Sequence, residues 1–379
     1  MLKIIFLFLF ITNSLEQGKS NVYMTKTISS SNMVKMFKLL NITLGNNIGL
    51  KVHSGEEGGK YFLTPDFLEE IYNYTKGTYI ECNAAYNGSR HTTELHDKLL
   101  AKHGWTKNNR RFVIMDRNPS EDFNIIINNS VMINENILGG GIKQFDSCIV
   151  LAHLKGHSMG GFGGALKQLS IGFASQRGKT WIHTGGNTTE WEKMDYHLAN
   201  EEDFTAAMGD AASSVVEYFR NKKGIAFINV MSNISLLCDC AGGDAPEPKI
   251  NDIGILASTD PVALDRACVD LIKKSHDVGR NDWINQLNKL KGENTIDVAE
   301  AHGIGTQKYN LILIDPDNEE EEEDEGETGK QSKATLIAIV VCVVVGVSIF
   351  VSIFVYLILR SKPNTKYQED FHLTQKMNE

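Results

Sequence analysis

Short apolar runs alternate with amphipathic helical stretches through most of this chain, and that alternation limits its fold more than any other feature. Strand signals stand at 49–52, 78–82, 112–115, 124–127, 148–152, 225–230, 253–256 and 309–314. Between them, Thr64 stands where an N-cap belongs and Pro65 at a first helical position, followed by Phe67, Leu68, Ile71 and Tyr72 on one face. A second helix over 92–103 carries Leu95, Leu99 and Leu100, with Gly104 to end it. The stretch 204–219 places Phe204, Met208, Ala211, Ala212, Val215 and Phe219 at helical spacing. Asp260-Pro261 opens a further helix with Ala263, Leu264, Ala267, Cys268 and Leu271 inward. The pattern predicts an α/β domain over 18–316, two-lobed by its length, with mixed or parallel sheets and a cleft.

The flanks predict a membrane setting. Residues 1–17 have the form of a secretory signal: Lys3, an apolar core from Ile4 to Ile11, then polar residues. Residues 334–359 form an uninterrupted, mostly apolar run without charge, long enough as a helix to reach roughly 39 Å. Arg360, Lys362 and Lys366 follow it, which places the tail 360–379 in the cytoplasm. The expectation is a single-pass type I protein with its ectodomain extracellular or in the secretory lumen. The acidic segment 317–333 would be a self-repelling stalk before a C-terminal transmembrane helix. Asn41, Asn73, Asn87, Asn128, Asn187 and Asn233 each begin an Asn-x-Ser/Thr sequon, which predicts a glycoprotein.

The net charge of −9 is concentrated in ten carboxylates between Asp315 and Glu327, and the remainder is close to neutral. A chain without clustered cations is a poor partner for nucleic acid. Cys342 lies in the apolar run, leaving Cys82, Cys148, Cys238, Cys240 and Cys268, an odd number that cannot all pair within one chain. Cys238-Asp239-Cys240 could bind a soft metal, or one of its cysteines could pair with Cys82 or Cys268.

No phosphate loop, dinucleotide turn, Gly-x-Ser-x-Gly elbow, His-Glu-x-x-His or ferredoxin-type cysteine run is present. Reactive groups concentrate instead in three stretches. The first is Lys51 to Glu57 at a strand end, and the second is Tyr86 to His91. The third runs from His153 through Lys155, His157, Gly160, Gly161, Gly163, Gly164 and Lys167 to Lys179 and His183. Strand ends and glycine-rich loops let a backbone approach a ligand closely, which marks His157, Lys167 and His183 as a candidate ligand, cofactor or metal site.

The stretches His153 to Lys167 and Asp252 to Asp265, with Lys51 to Gly55, Ser89-Arg90-His91 and Cys238-Asp239-Cys240, resemble the domain-of-unknown-function family 362 over about 44–314. Many members carry a ferredoxin-like iron–sulfur insert, whose cysteines this chain lacks. In order and approximate separation, His91, His157, Lys167 and His183 also resemble nickel-pincer lactate racemases. That resemblance implies His91 and His157 as the acid/base pair, and Lys167 with the backbone of Gly161, Gly163 and Gly164 as the cofactor site. His183 becomes the ligand of a transition metal, nickel or iron. It implies a two-lobed α/β fold, a small-molecule ligand and 2-hydroxy-acid isomerase or redox chemistry. The alternative is a surface binding or adhesion module on the same scaffold.

Overall fold

The central strands are apolar toward both faces, as strands covered by helices on both sides must be. The computed structural model describes residues 18–195 and 198–315. Strand β1 (Ser20–Thr25) leads to α1 (Ser30–Leu39), β2 (Ile48–Lys51), α2 (Glu69–Thr75), β3 (Thr78–Glu81), α3 (Thr93–Lys102) and β4 (Phe112–Ile114). An antiparallel pair, β5 (Phe123–Ile126) and β6 (Glu135–Leu138), precedes β7 (Ser147–His153). A second pair follows, β8 (Lys155–His157) with β9 (Gly161–Gly163). Next come α4 (Ala165–Phe173), α5 (Gln176–His183), α6 (Glu201–Arg220), β10 (Ile225–Met231) and β11 (Gly254–Ser258). Helices α7 (Pro261–Lys274), α8 (Arg280–Lys289) and α9 (Asn294–Ala301) precede β12 (Tyr309–Leu313).

Eight strands form one sheet in the order β12-β1-β11-β10-β7-β2-β3-β4, and β11 alone runs against the rest. Alternation within β7 shows how both faces are used. Cys148 and Val150 join the core beneath α4, α6, α7 and α8, with Phe173, Phe219, Leu264 and Trp283. Ile149 and Leu151 join the core beneath α1, α2 and α3, with Met33, Ile71, Leu100 and Trp105. From β2 the chain moves outward to β3 and β4, then returns to the other side of β2 for β7 and β10. The carboxyl ends of β2 and β7 therefore flank a topological switch point, where the outgoing loops diverge and leave a crevice.

Two expectations are corrected here. The architecture is α/β, but the described residues form one compact unit around the eight-stranded sheet and not two lobes, because β12 returns to pair with β1 and closes the chain onto the same layer. No helix among the described residues is long and apolar enough to cross a membrane. The segments 1–17, 317–333, 334–359 and 360–379 lie outside the described residues.

The start of α4 is fixed by a fully buried carboxylate. Asp265, on α7, accepts the backbone N–H of Ala165 and of Leu166, both at 2.9 Å, and the side-chain amide of Asn229 at 2.7 Å. Gly164 gives that carboxylate its room, since a Cβ there would lie 2.5 Å from Asp265 Oδ1. Asp265→Ala strips two helix N–H groups and a buried amide of their acceptor, and is expected to cost about 2–4 kcal/mol. In urea unfolding the midpoint falls while the slope stays unchanged; an unaltered midpoint would show that the cap is dispensable.

Candidate functional site

The strand ends around the switch point carry charge into the interior. Lys51, the last residue of β2, is 0% exposed, and its amine donates to Val52 O at 2.5 Å and Gln168 Oε1 at 3.0 Å. Burial lowers it to about 8, against the pull of Glu81. Glu81 ends β3 and accepts from Arg90 Nη1 at 2.8 Å and from the Ser54 amide at 3.0 Å. Burial pushes Glu81 up, but Arg90 and His96 outweigh it and hold the carboxyl well below its usual range. Arg90 is saturated: Nε donates to Glu56 at 3.2 Å and Nη2 to the Tyr86 hydroxyl at 2.7 Å.

The β8–β9 hairpin and the two helices after it supply the opposite wall. His157, at the end of β8, accepts the backbone N–H of Gly160 at 2.9 Å and of Met159 at 3.2 Å on Nδ1, so the neutral ring carries its proton on Nε2. Burial and the neighbouring Lys167 and His183 push His157 well below its ordinary value. His183 ends α5 the other way round: Nδ1 donates to Lys179 O at 2.7 Å, which makes Nε2 the acceptor nitrogen. Burial lowers His183 to about 4. Lys167 lies in the first turn of α4, and its amine meets no hydrogen-bond or ion-pair partner among the described residues. Burial, then Lys155, Arg90 and Lys51, bring it down to about 7.

These walls enclose a cavity of about 560 Å³ including its mouth, lined among others by His53, Glu81, Arg90, His157, Lys167, Lys179, His183 and Cys240. Glu81 is the one carboxylate among these lining residues and is consumed by Arg90. Lys179 donates to Ala174 O at 2.6 Å, and among the described residues neither Lys167 nor Lys179 forms an ion pair with a carboxylate. Such a site favours an anion.

The family model Domain of unknown function (DUF362) matches residues 48–270. The chain belongs to the DUF362 family. The match runs from β2 into α7 and contains every residue of the cavity named above. Among solved structures, the DUF362 chain is similar to the lactate racemase apoprotein from Thermoanaerobacterium thermosaccharolyticum, at 16% identity and a TM-score of 0.39, over 68% of this chain and 57% of that one. It is also similar to a protein from Thermotoga maritima, at 14% identity and a TM-score of 0.38, over 63% of this chain and 57% of that one. The chain thus spans 57% of the length of each of these structures. No curated protein matches the sequence.

Of the residues singled out in the DUF362 sequence, His157, Lys167 and His183 converge on the cavity. His91 does not. Its ring lies 4.3 Å from that of Trp191, and it lines a neighbouring recess with Asn83, Asp116, Arg117 and Arg177. Gly161 and Gly164 are closely packed: a Cβ at Gly161, where φ is +76°, would lie 2.9 Å from Gly292, and one at Gly164 would meet Asp265. At Gly163 a Cβ would meet only the Lys167 stem, at 3.9 Å. All six sequon asparagines are exposed. Sequence reasoning passed over Glu81, whose signal was a carboxylate at the end of a short, fully buried strand.

Cys238 and Cys240 are bonded to each other, which corrects the expected pairing of one of them with Cys82 or Cys268; those two and Cys148 are buried free thiols. Two residues apart, the pair closes locally without reaching across the core. Asp239 between them accepts from His153 Nδ1 at 3.0 Å and pairs with Lys155, which ties the turn to the end of β7. Burial raises Asp239, but Lys155 and His153 hold it well below the usual carboxylate range. Sγ of both cysteines and a ring nitrogen of His157 lie within 4.8 Å of one another, though the bonded sulfurs offer no thiolate.

The lysines set a pH dependence. With Lys167 near 7 and Lys51 near 8 in the folded chain, against 10.5 in the unfolded one, the unfolded state binds more protons between about pH 7 and 10. Stability therefore rises with pH across that window. Lys167→Met is expected to raise Tm near pH 7 by about 2–4 °C and to flatten the rise. Differential scanning calorimetry from about pH 6 to 9 checks it, and parallel curves for the two proteins would exclude Lys167 as the source.

Proposed function

We propose that the cavity binds a small carboxylate-bearing molecule and moves a proton on it, as an isomerase of the 2-hydroxy-acid racemase type. The observation that carries this reading is the convergence of His157, Lys167 and His183 on one cavity whose cations outnumber its carboxylates. Lys179 and the surplus positive field hold the substrate carboxylate. His157 presents an N–H and resists taking a second proton, so it polarises a substrate oxygen instead of serving as a base. Lys167, with an amine near 7 and no partner among the described residues, has the proton affinity that acid–base catalysis at neutral pH requires. Proton transfer thereby falls to Lys167, not to the His91–His157 pair.

The donor set also fits a metal or cofactor. Nε2 of His183, its ring set by the Nδ1–H bond to Lys179 O, would be the ligand nitrogen, and Lys167 keeps the amine that proton transfer uses. When bound, such a group supplies an electron-pair acceptor beside the substrate. A secretory glycoprotein setting belongs to this proposal, supported by the exposure of every sequon asparagine.

Two measurements test the reading. Elemental mass spectrometry on the full chain, prepared without chelators or a histidine tag, should find a stoichiometric transition metal that His183→Ala loses without a change in Tm. Nuclear magnetic resonance in deuterated water should detect exchange of the Cα hydrogen in some member of a 2-hydroxy-acid panel. The rate should rise through about pH 7 as Lys167 deprotonates and fall by about 10²-fold or more in Lys167→Met. A folded, metal-free chain that exchanges no member of the panel would overturn the isomerase and leave the binding module.

A further inference from the structure

We propose that the Cys238–Cys240 disulfide is redox-active and exchanges with small carboxylate-bearing thiols that enter the cavity. Its placement distinguishes the two sulfurs. Cys240 belongs to the cavity wall and is partly exposed, whereas Cys238 is 2% exposed behind it. A thiolate arriving through the cavity therefore meets Cys240 first. The wall it approaches carries Lys167 and Lys179, neither in an ion pair among the described residues, which draws an anionic thiol and favours its reactive thiolate form.

The surroundings let the bond open while the turn stays in place. Asp239 is fixed by His153 and Lys155 independently of the sulfurs. Gly242, at φ +58°, packs so closely that a Cβ would lie 2.5 Å from Glu57 O, so the loop after the pair is clamped against the loop after β2. Cys82 also contributes to the wall, but it is 0% exposed and burial pushes its thiol well above the ordinary range.

The chemistry balances without any further reagent. The incoming thiolate attacks Sγ of Cys240, a new disulfide forms between them, the Cys238–Cys240 bond breaks, and Cys238 leaves as a thiolate and takes up a proton. A second thiolate attacks the external sulfur of the mixed disulfide and releases Cys240, which is protonated in turn. The protein disulfide is reduced to two thiols, and two external thiols are oxidised to one disulfide; an oxidised external disulfide drives the reverse.

The preference for charged thiols rests on the anion-binding reading of the cavity, and the exchange itself does not. The test uses the full chain and its Cys238→Ser and Cys240→Ser variants, each treated with glutathione disulfide and with uncharged hydroxyethyl disulfide. Adducts are located by peptide mass spectrometry, and rates are normalised to those with free cysteine. Cys238→Ser should gain its adduct on Cys240, about tenfold faster than Cys240→Ser gains one on Cys238. At low salt the glutathione adduct should form about tenfold faster than the hydroxyethyl adduct, an advantage that salt reduces. Adducts on Cys238 as fast as on Cys240, or none on Cys240, would overturn the proposal and leave the anion-binding reading intact. Exchange at Cys240 without preference for the charged probe would overturn both the thiol class proposed here and the anion-binding reading. Should a variant not fold, the wild-type chain gives the same answer, through which cysteine first carries the mixed disulfide in native glutathione buffer.

Discussion

Several cations are buried around one cavity, and everything else at this sheet edge answers to the cost of keeping them there. Two like charges about 8 Å apart repel by about 2 kcal/mol at an effective dielectric near 20. The chain meets that repulsion in three ways. Arg90 is neutralised by Glu81 and Glu56, and Lys155 by Asp239. Lys51 and Lys179 are solvated by carbonyl and amide oxygens. Lys167 has neither remedy among the described residues, and its proton affinity falls instead. An amine lowered in this way is the residue whose loss should stabilise the fold and disable the site together. That opposition between stability and activity is what separates a functional lysine from a structural one.

The three histidines of the cavity differ by what meets Nδ1. His53 accepts the Gly55 amide at 3.1 Å and His157 accepts those of Gly160 and Met159, so both present Nε2–H. His183 donates to a carbonyl and presents an acceptor. The backbone thus assigns two donors and one acceptor before any ligand arrives. No spacing pattern in a sequence can convey that, because it depends on whether an N–H or a C=O happens to face the ring.

What was legible in the sequence follows the same division between pattern and placement. Strands such as 148–152 and 225–230 showed themselves as unbroken apolar runs because helices cover both their faces, and α6 showed its 3.6-residue period. Helix α4, directly after the glycines, is not marked in the sequence as a helix. Nearly every residue of Ala165–Phe173 is buried, so it has no polar face to mark its period. His157, Lys167 and His183 were legible as a group because one hairpin and two consecutive helices hold them. His91 was not separable from them, since a loop between β3 and α3 can turn toward either recess, and here Gln176 donates to its carbonyl at 2.9 Å from the far side. The disulfide pairing was beyond reach because the choice between a local and a crossing bridge depends on where Cys82 and Cys268 lie, and both are sealed in the core.

The reversed strand β11 links the sheet to the site. Because β11 runs against β10, the chain leaves β10 at the carboxyl edge and must begin β11 at that same edge. The connection between Met231 and Gly254 therefore stays beside the cavity instead of crossing a face of the sheet. A parallel successor would have sent it back over a helix. Leu236 O lies where a Cβ of Gly156 would be, at 2.2 Å, and Gly242 and Gly243 press on the loop 56–59. One strand reversal accordingly delivers both the carboxylate that neutralises Lys155 and the sulfurs of the cavity wall. The electrostatics and the redox chemistry proposed for this chain depend on a single segment, inserted where an all-parallel sheet would have none.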